Sequence, residues 1–429
     1  MSKYSNSNFS TLNIVAPVIL IFYLCIGFIP NWGAVDKIAP QWLAMSIINL
    51  ISFGYFFNNR KAYSNYLTNN IKSILTLTYI CFILWAIGSL LYAINPTEVV
   101  VNLARQINVF IMFFSMVILI NGLKDKLRFF SWVITILIII ENYAVMNEAL
   151  DMINTNGFIK SGELKGVTAN RNITAFSLAI KIPFVLFLIY LLRKIWGKIV
   201  LATLVCITLI SLSMIQSRAS FVAVGFITFS YITIQIFLYL KVNKKKTQFF
   251  KIGYIIAPLL VAVFFNQIFL SSKGADAISR ASTISLSTND GSVNQRIRYY
   301  QDVLTHITSN PILGVGLGNW KLKSIDYDSK DINGYVVPYH AHSDFIQLGA
   351  ELGIFGFILY LGIFPTALAF QLRYHITKTS GPVFLSYVAY LIPIFALIWG
   401  FVLLSEEIYL NSIIGITLIL FGVYIGKKN

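Results

Sequence analysis

The chain has 429 residues, of which 57% are hydrophobic and 12% charged, and its mean hydropathy is +0.73. A soluble domain carries about 25% charged residues, so a water-soluble globular enzyme is excluded. The formal net charge of +16 falls mostly in short loops between apolar runs, which points to a lipid bilayer and not to nucleic acid as the partner.

The apolar runs predict an all-α polytopic membrane protein, a single membrane domain over residues 1–429. A helix needs roughly 20 apolar residues to cross a bilayer, and about twelve runs qualify. They are Leu12–Pro30, Gln41–Phe57, Ser73–Ile94, Ile107–Asn121, Phe129–Met146, Ile173–Leu192, Ile199–Gln216, Phe221–Leu240, Ile252–Leu270, Phe345–Leu372, Val383–Leu404 and Ile408–Ile425. The first follows Lys3 without a small-residue cleavage site, so it is expected to be a retained span. Cys25, Cys81 and Cys206 all lie within apolar runs. They read as small hydrophobes, with no disulfide framework implied.

Basic residues orient the spans. One set of loops holds Arg60, Lys61 and Lys72; Lys124, Lys126 and Arg128; Arg193, Lys194 and Lys198; and Lys241 to Lys251. The same set continues with Arg373, Lys378, Lys427 and Lys428. The alternate short loops hold little beyond Lys37 and Arg218. Lys/Arg excess marks the cytoplasmic side, so both termini are expected inside. Residues 147–172 and the large polar segment 271–341, between spans nine and ten, are then expected outside.

The large loop has internal pattern. Ala281–Ser292 is rich in Ser and Thr and reads as flexible. Ser292 and Gln295 have the spacing of a capping box. Val293, Ile297, Tyr300, Leu304 and Ile307 then recur at helical spacing, which predicts an amphipathic helix stopped by Asn310-Pro311. Arg296 and Arg298 ride on it. Gly314-Val-Gly-Leu-Gly318 lacks the Gly-Lys-Ser/Thr of a P-loop and is expected to be a tight turn. Asp326-Tyr-Asp328-Ser-Lys-Asp331 lacks the glycine and glutamate of a calcium loop, and lysines surround it, so a solvated loop is expected.

Several side chains could carry chemistry. His340-Ala-His342-Ser343-Asp344 stands where the outer loop returns to the membrane, and histidine can accept a proton near pH 7. Its alternatives are interfacial capping or metal ligation, which would want further ligands; no metal or other cofactor is expected. Arg218, in a very short outer turn, is a functional candidate because charge beside hydrocarbon is costly. Its alternative is a snorkelling anchor. The forks of Arg218 and Arg296 suit a phosphate or pyrophosphate, with a solvated helix face as the alternative for Arg296 and Arg298. Ser343, Gln347 and Glu351 stand four apart on one helical stripe. That stripe either lines an acceptor path or packs polar groups inward. Asn172 could add a donor for a glycan. Arg105, Glu141, Lys181, Glu406 and Glu407 lie near or within spans and have no partner readable in the sequence.

The order of these motifs resembles the O-antigen ligase family, which also includes polysaccharide polymerases. The resemblance rests on Gln216-Ser-Arg218-Ala-Ser220, on Arg296-Ile-Arg-Tyr-Tyr leading to Asn310-Pro-Ile-Leu-Gly-Val-Gly, and on His342-Ser-Asp-Phe-Ile-Gln347 leading to Glu351-Leu-Gly353-Ile-Phe-Gly356. It implies a metal-independent, inverting glycosyl transfer at the periplasmic face of the bacterial inner membrane. The donor would be a glycan on undecaprenyl pyrophosphate, and the acceptor lipid A–core or another glycan. By position, His342 matches the base and Arg218 and Arg296 match the pyrophosphate ligands, while His340, Ser343, Asp344, Gln347, Glu351, Arg298 and Asn172 are possible supports. Ser343 stands where the family often has Asn. The readings in competition are ligase, polymerase of the same donor, and a twelve-span transporter. A transporter would favour internal repeats and ionisable groups at the membrane midplane.

Overall fold

The computed structural model describes residues 9–30, 32–36, 38–168, 170–240, 247–282, 291–328 and 340–362, with residues 411, 415 and 417. Among them the fold is all-α. Helices α1 (Phe9–Cys25), α2 (Ala39–Asn58), α3 (Arg60–Ile71) and α4 (Ile74–Gly88) are followed by α5 (Pro96–Ile120), α6 (Lys126–Asn156) and α7 (Arg171–Leu191). Then come α8 (Ile195–Ile215), α9 (Arg218–Leu238), α10 (Thr247–Phe265), α11 (Ala277–Ser282) and α12 (Gly291–Ser309). Two single turns, α13 (Trp320–Lys323) and α14 (Ile325–Asp328), precede α15 (Asp344–Gly362).

Eight of the described segments are long and apolar enough to cross a membrane, so the protein is a multi-pass membrane protein. Each coincides with an expected apolar run. The run at Leu12–Pro30 is helical as α1 to Cys25 and a 3-10 turn over Ile26–Phe28, and Gln41–Phe57 lies within α2. The expected spans Val383–Leu404 and Ile408–Ile425, with Glu406 and Glu407, lie outside the described residues, apart from isolated helical positions.

Two helices outrun their apolar runs. Helix α5 starts at Pro96, a favourable first-turn residue, eleven residues before the expected Ile107. Its polar first turns are satisfied: Arg105 pairs with Asp36 at 2.9 Å and lies over the Trp42 ring. Helix α6 continues past Met146 to Asn156, because Ala149, Met152 and Ile153 keep its packed face in the core. Gly157, at φ 77°, then ends it in the left-handed conformation that glycine adopts without strain. Part of the expected 147–172 loop is therefore helix.

The described residues divide between two compact units: Met1–Ile71 with Ala104–Arg298, and Lys72–Leu103 with Tyr299–Asn429. In the first, α6, α7, α8 and α10 share a core that includes Ile138, Leu178, Ile182, Val205 and Leu212. Helix α8 is central, with 61% of its most apolar stretch buried, against 11% for α9. A second cluster joins α1, α2, α3 and α5 through Leu20, Phe56, Tyr63 and Ile118. The large side chains left uncovered, such as Phe226 and Phe264, suit a hydrocarbon solvent.

The second unit contains α4, the first turns of α5, most of α12, and α13 to α15. Its small core gathers Val303, Trp320, Ala341 and Ala350, with Ile307, Tyr327 and Ile346 against them. The amphipathic helix expected after Ser292 is α12, and it ends at Ser309 just before Pro311. Of the stretch expected to be flexible, Ala281 and Ser282 close α11, residues 283–290 lie outside the description, and Gly291 opens α12.

Candidate active site

In the first unit the α8–α9 turn carries the expected arginine. Gln216 ends α8 in the left-handed region, at φ 56°, and two residues later Arg218 opens α9, half-buried. Ser217 Oγ donates to Asn172 Oδ1 at 3.2 Å. Asn172 sits at the start of α7, where the Asn170 side chain accepts the backbone N–H groups of Asn172 and Ile173. The structure thus brings Asn172 to the turn that holds Arg218.

A further arginine joins this turn. Arg280, on α11, donates through Nε to the Gln216 carbonyl at 3.4 Å. No motif in the sequence singles it out. Its local signal is Asp276, which accepts the backbone N–H groups of Ile278 and Ser279 at 3.1 Å as a helix cap would. The Ser279 bond, first among several, holds the Asp276 carboxyl below its ordinary value. Arg296 and Arg298 are both exposed on α12.

In the second unit the glycine-rich run is a clasp on α15. Gly314, Gly316 and Gly318 all have left-handed φ, at 61°, 94° and 75°. Val315 N–H donates to the Ala350 carbonyl at 3.0 Å and Gly316 N–H to the Glu351 carbonyl at 2.8 Å. Trp85 Nε1 donates to the Leu352 carbonyl at 2.9 Å. Ile354 N–H, deprived of its helical acceptor, donates to the Pro311 carbonyl at 2.9 Å. The break in α15 falls at Gly353, φ 68°. The carbonyls of Ala350, Glu351 and Leu352 and the N–H of Ile354 thus all find partners outside α15, as a membrane interior demands. A Cβ on Gly314 would strike the Ala350 carbonyl oxygen, and one on Gly318 the Asn102 amide, so the run is a close backbone approach. This is the tight turn that the sequence suggested.

The stripe on α15 packs inward. Glu351 is buried at 3% exposure. Its Oε2 accepts Gly318 N–H at 2.8 Å, and its Oε1 accepts Gln347 Nε2 at 2.9 Å. Gln347 Oε1 accepts the Ala341 N–H at 3.2 Å, while Gln347 N–H donates to the Ser343 carbonyl at 3.0 Å. Of the two readings of this stripe, inward packing describes Gln347 and Glu351.

His342 follows directly. It is exposed, and its φ of 56° puts a non-glycine residue in the left-handed region. Such a residue costs on the order of 1–3 kcal/mol and persists where its surroundings over-determine it. Its ring stacks on Tyr299, centroids 5.9 Å apart and planes 24° apart. His340 and Asp344 are exposed and Ser343 is half-buried.

Two titratable features stand apart. His306 is buried at 2% exposure against Trp320 and Tyr327. Its Nδ1 is 3.2 Å from Tyr327 Oη, while its Nε2 meets no hydrogen-bond partner among the described residues. Burial, then the nearby Lys323 charge, lowers its pKa. Glu141 and Lys181, unpaired in the sequence reading, form a buried ion pair between α6 and α7, joined by Ser177. Lys323 pairs with Asp326 at 2.8 Å; where the sequence suggested a solvated loop, Asp326 to Asp328 lie in the helical turn α14, and residues 329–331 lie outside the described residues. Among the described residues no group of three or more His, Cys, Asp or Glu comes together to hold a metal ion.

The motifs now have a frame: an arginine turn at the start of α9, an arginine-bearing α12, and a glycine clasp that fixes the start of α15 beside His342. Residues 203–361 match the family model described as O-antigen ligase, and all of these features lie within that stretch. Over this segment, less than half of the chain, the protein is similar to the O-antigen ligase family. A Rickettsia conorii protein provisionally named a polysaccharide ligase is 38% identical over 74 residues. That alignment covers 16% of this chain and 18% of the relative, so the chain spans less than a fifth of the relative's length. Residues 336–425 also match the model of an EamA-like transporter family, overlapping the ligase match over α15.

Proposed function

We propose that this protein is a membrane glycosyltransferase of the O-antigen ligase type. It transfers a glycan from undecaprenyl pyrophosphate to a lipid A–core acceptor at the periplasmic face of the bacterial inner membrane, with inversion and without a metal. The observation that carries the reading is the ligase family match, because Arg218, Arg296 and His342 all lie inside it.

The chemistry follows from these residues. His342 takes the proton of the acceptor hydroxyl, whose oxygen is a poor nucleophile until then; such a base contributes about 10²–10⁴ in rate. The oxygen attacks the anomeric carbon from the face opposite the pyrophosphate, the carbon–oxygen bond to the pyrophosphate breaks, and the configuration inverts. Negative charge grows on the departing lipid pyrophosphate. Arg218 and Arg296 bind it through their guanidinium forks, whose planar geometry matches phosphate oxygens. Arg280, hydrogen-bonded to the Gln216 carbonyl in the same turn, adds its charge to that of Arg218.

Deleting the gene and analysing surface glycan and lipid carrier tests the reading. Ligase activity predicts polymer accumulating on the carrier and bare lipid A–core. Single repeat units on core would instead mean polymerase, which uses the same donor. The transporter match over residues 336–425 favours a second reading. On that reading, deletion leaves carrier and core glycosylation unchanged.

A further inference from the structure

We infer that Gln347 and Glu351 are positioning residues for the base, holding His342 in its left-handed backbone conformation through a hydrogen-bond chain anchored on Gly318. The inference rests on the reading of His342 as the base.

The chain of contacts is continuous and lies within one compact unit. Gly318 N–H donates to Glu351 Oε2 at 2.8 Å. Glu351 Oε1 takes the amide of Gln347 at 2.9 Å. The other end of that amide, Oε1, takes the N–H of Ala341 at 3.2 Å, directly before His342. Ala341 itself is buried, packed with Val303, Trp320 and Ala350. A turn whose preceding N–H and side chain are both fixed leaves His342 little freedom. Tyr299 then limits the ring by stacking on it.

The direction of each bond is set by chemistry. An N–H on Ala341 requires the amide oxygen of Gln347, which turns the amide NH₂ toward Glu351. A carboxylate accepts both that NH₂ and the Gly318 N–H. The outer end of the chain is fixed as well, because Gly316 and Val315 bind the α15 carbonyls at 2.8 Å and 3.0 Å. The glycine run and the histidine motif, far apart in sequence, are therefore one device. It takes no substrate itself and acts by keeping the base aimed.

The test uses the full-length protein in phospholipid nanodiscs. The donor probe is undecaprenyl-pyrophosphate-linked glycan, and the acceptor probe is lipid A–core, both extracted from a gene-deleted strain. Gln347→Met keeps the volume and removes both bonds. It is expected to lower kcat by about 10²-fold, the scale of a small misplacement of a reacting group, with donor KM within about two-fold of wild type. Gln347→Glu alone sets two carboxylates against each other and is expected to lose as much. The exchange Gln347→Glu with Glu351→Gln restores every donor–acceptor pairing and is expected to recover kcat to within about ten-fold. In a His342→Ala background, Gln347→Met is expected to cause no further loss. An inserted Gln347→Met protein with wild-type kcat overturns the inference. So does an exchange variant that folds but stays as inactive as Gln347→Glu, or an equal further loss without the histidine. Full activity of His342→Ala by itself overturns the base assignment instead, so the two failures are distinguishable.

Discussion

The carboxylate of Glu351 closes the glycine-rich loop: its Oε2 accepts the backbone N–H of Gly318 at 2.8 Å while Glu351 itself is 3% exposed. A carboxylate in such surroundings is costly unless hydrogen-bonded. The neighbouring carbonyls of Ala350, Glu351 and Leu352 are all bonded to groups outside α15. Loop and helix therefore satisfy each other, and neither would be stable alone at that position.

Gly318→Ala tests this closure. The new Cβ would meet the Asn102 amide at a φ of 75°, which an L side chain rarely adopts. The expected cost is on the order of 1–3 kcal/mol, read as a lower melting temperature in detergent. An alanine at Gly225, where nothing lies within 4 Å and no left-handed φ is required, is expected to leave the melting temperature unchanged or raise it.

Arg218→Lys and Arg296→Lys test the pyrophosphate role. A point charge keeps the sign but loses the fork. Each is expected to reduce transfer by about ten-fold or more, consistent with a lost charge-assisted hydrogen bond of ~1.5–3 kcal/mol. Arg298→Lys is expected to stay near wild type. Unchanged donor affinity in both of the first variants would refute the assignment.

The Glu141–Lys181 pair predicts a contrast between single and double substitution. Lys181→Met leaves the Glu141 carboxyl, already 3% exposed, without its counter-charge. A loss of about 3–5 kcal/mol is expected. Glu141→Leu together with Lys181→Met removes both charges and is expected to melt close to wild type. Equal losses in the single and the double variant would contradict this.

His306 predicts a pH dependence. Burial lowers its pKa below the ordinary histidine value of 6.5, so on acidification the unfolded chain takes up the proton first. Stability is then full above about pH 6.5 and falls as pH drops through that value. His306→Phe is expected to flatten the decline in melting temperature between about pH 7.5 and 5.5. An unchanged slope would mean that other groups carry it.

Much of the fold was legible because a bilayer demands long apolar helices, and such runs are local in sequence. The helix ends were less so. Helix α6 passes Met146 because Ala149 and Ile153 face a core that no local pattern reveals. The amphipathic α12 was legible from its spacing, since each turn repeats the signal. The clasp was not. Its glycines announced a turn, but the partner carbonyls lie on α15, and pairings such as Gly318 with Glu351 are non-local. For the same reason Gln347 and Glu351 read equally well as a lining or as packing until their partners were placed. Arg280 escaped notice because the segment around it looked flexible and its acceptor, the Gln216 carbonyl, is a backbone atom that any sequence carries.

The central claim is that His342 is the base of an inverting glycan transfer. Purified protein in nanodiscs, given undecaprenyl-pyrophosphate-linked glycan and lipid A–core, tests it most directly when the anomeric configuration of the product is read by NMR. Wild type is predicted to release lipid pyrophosphate and form a product of inverted configuration, and His342→Ala, equally well inserted, to be slower by about 10²–10⁴-fold. A retained configuration, or equal rates for wild type and His342→Ala, would contradict the claim.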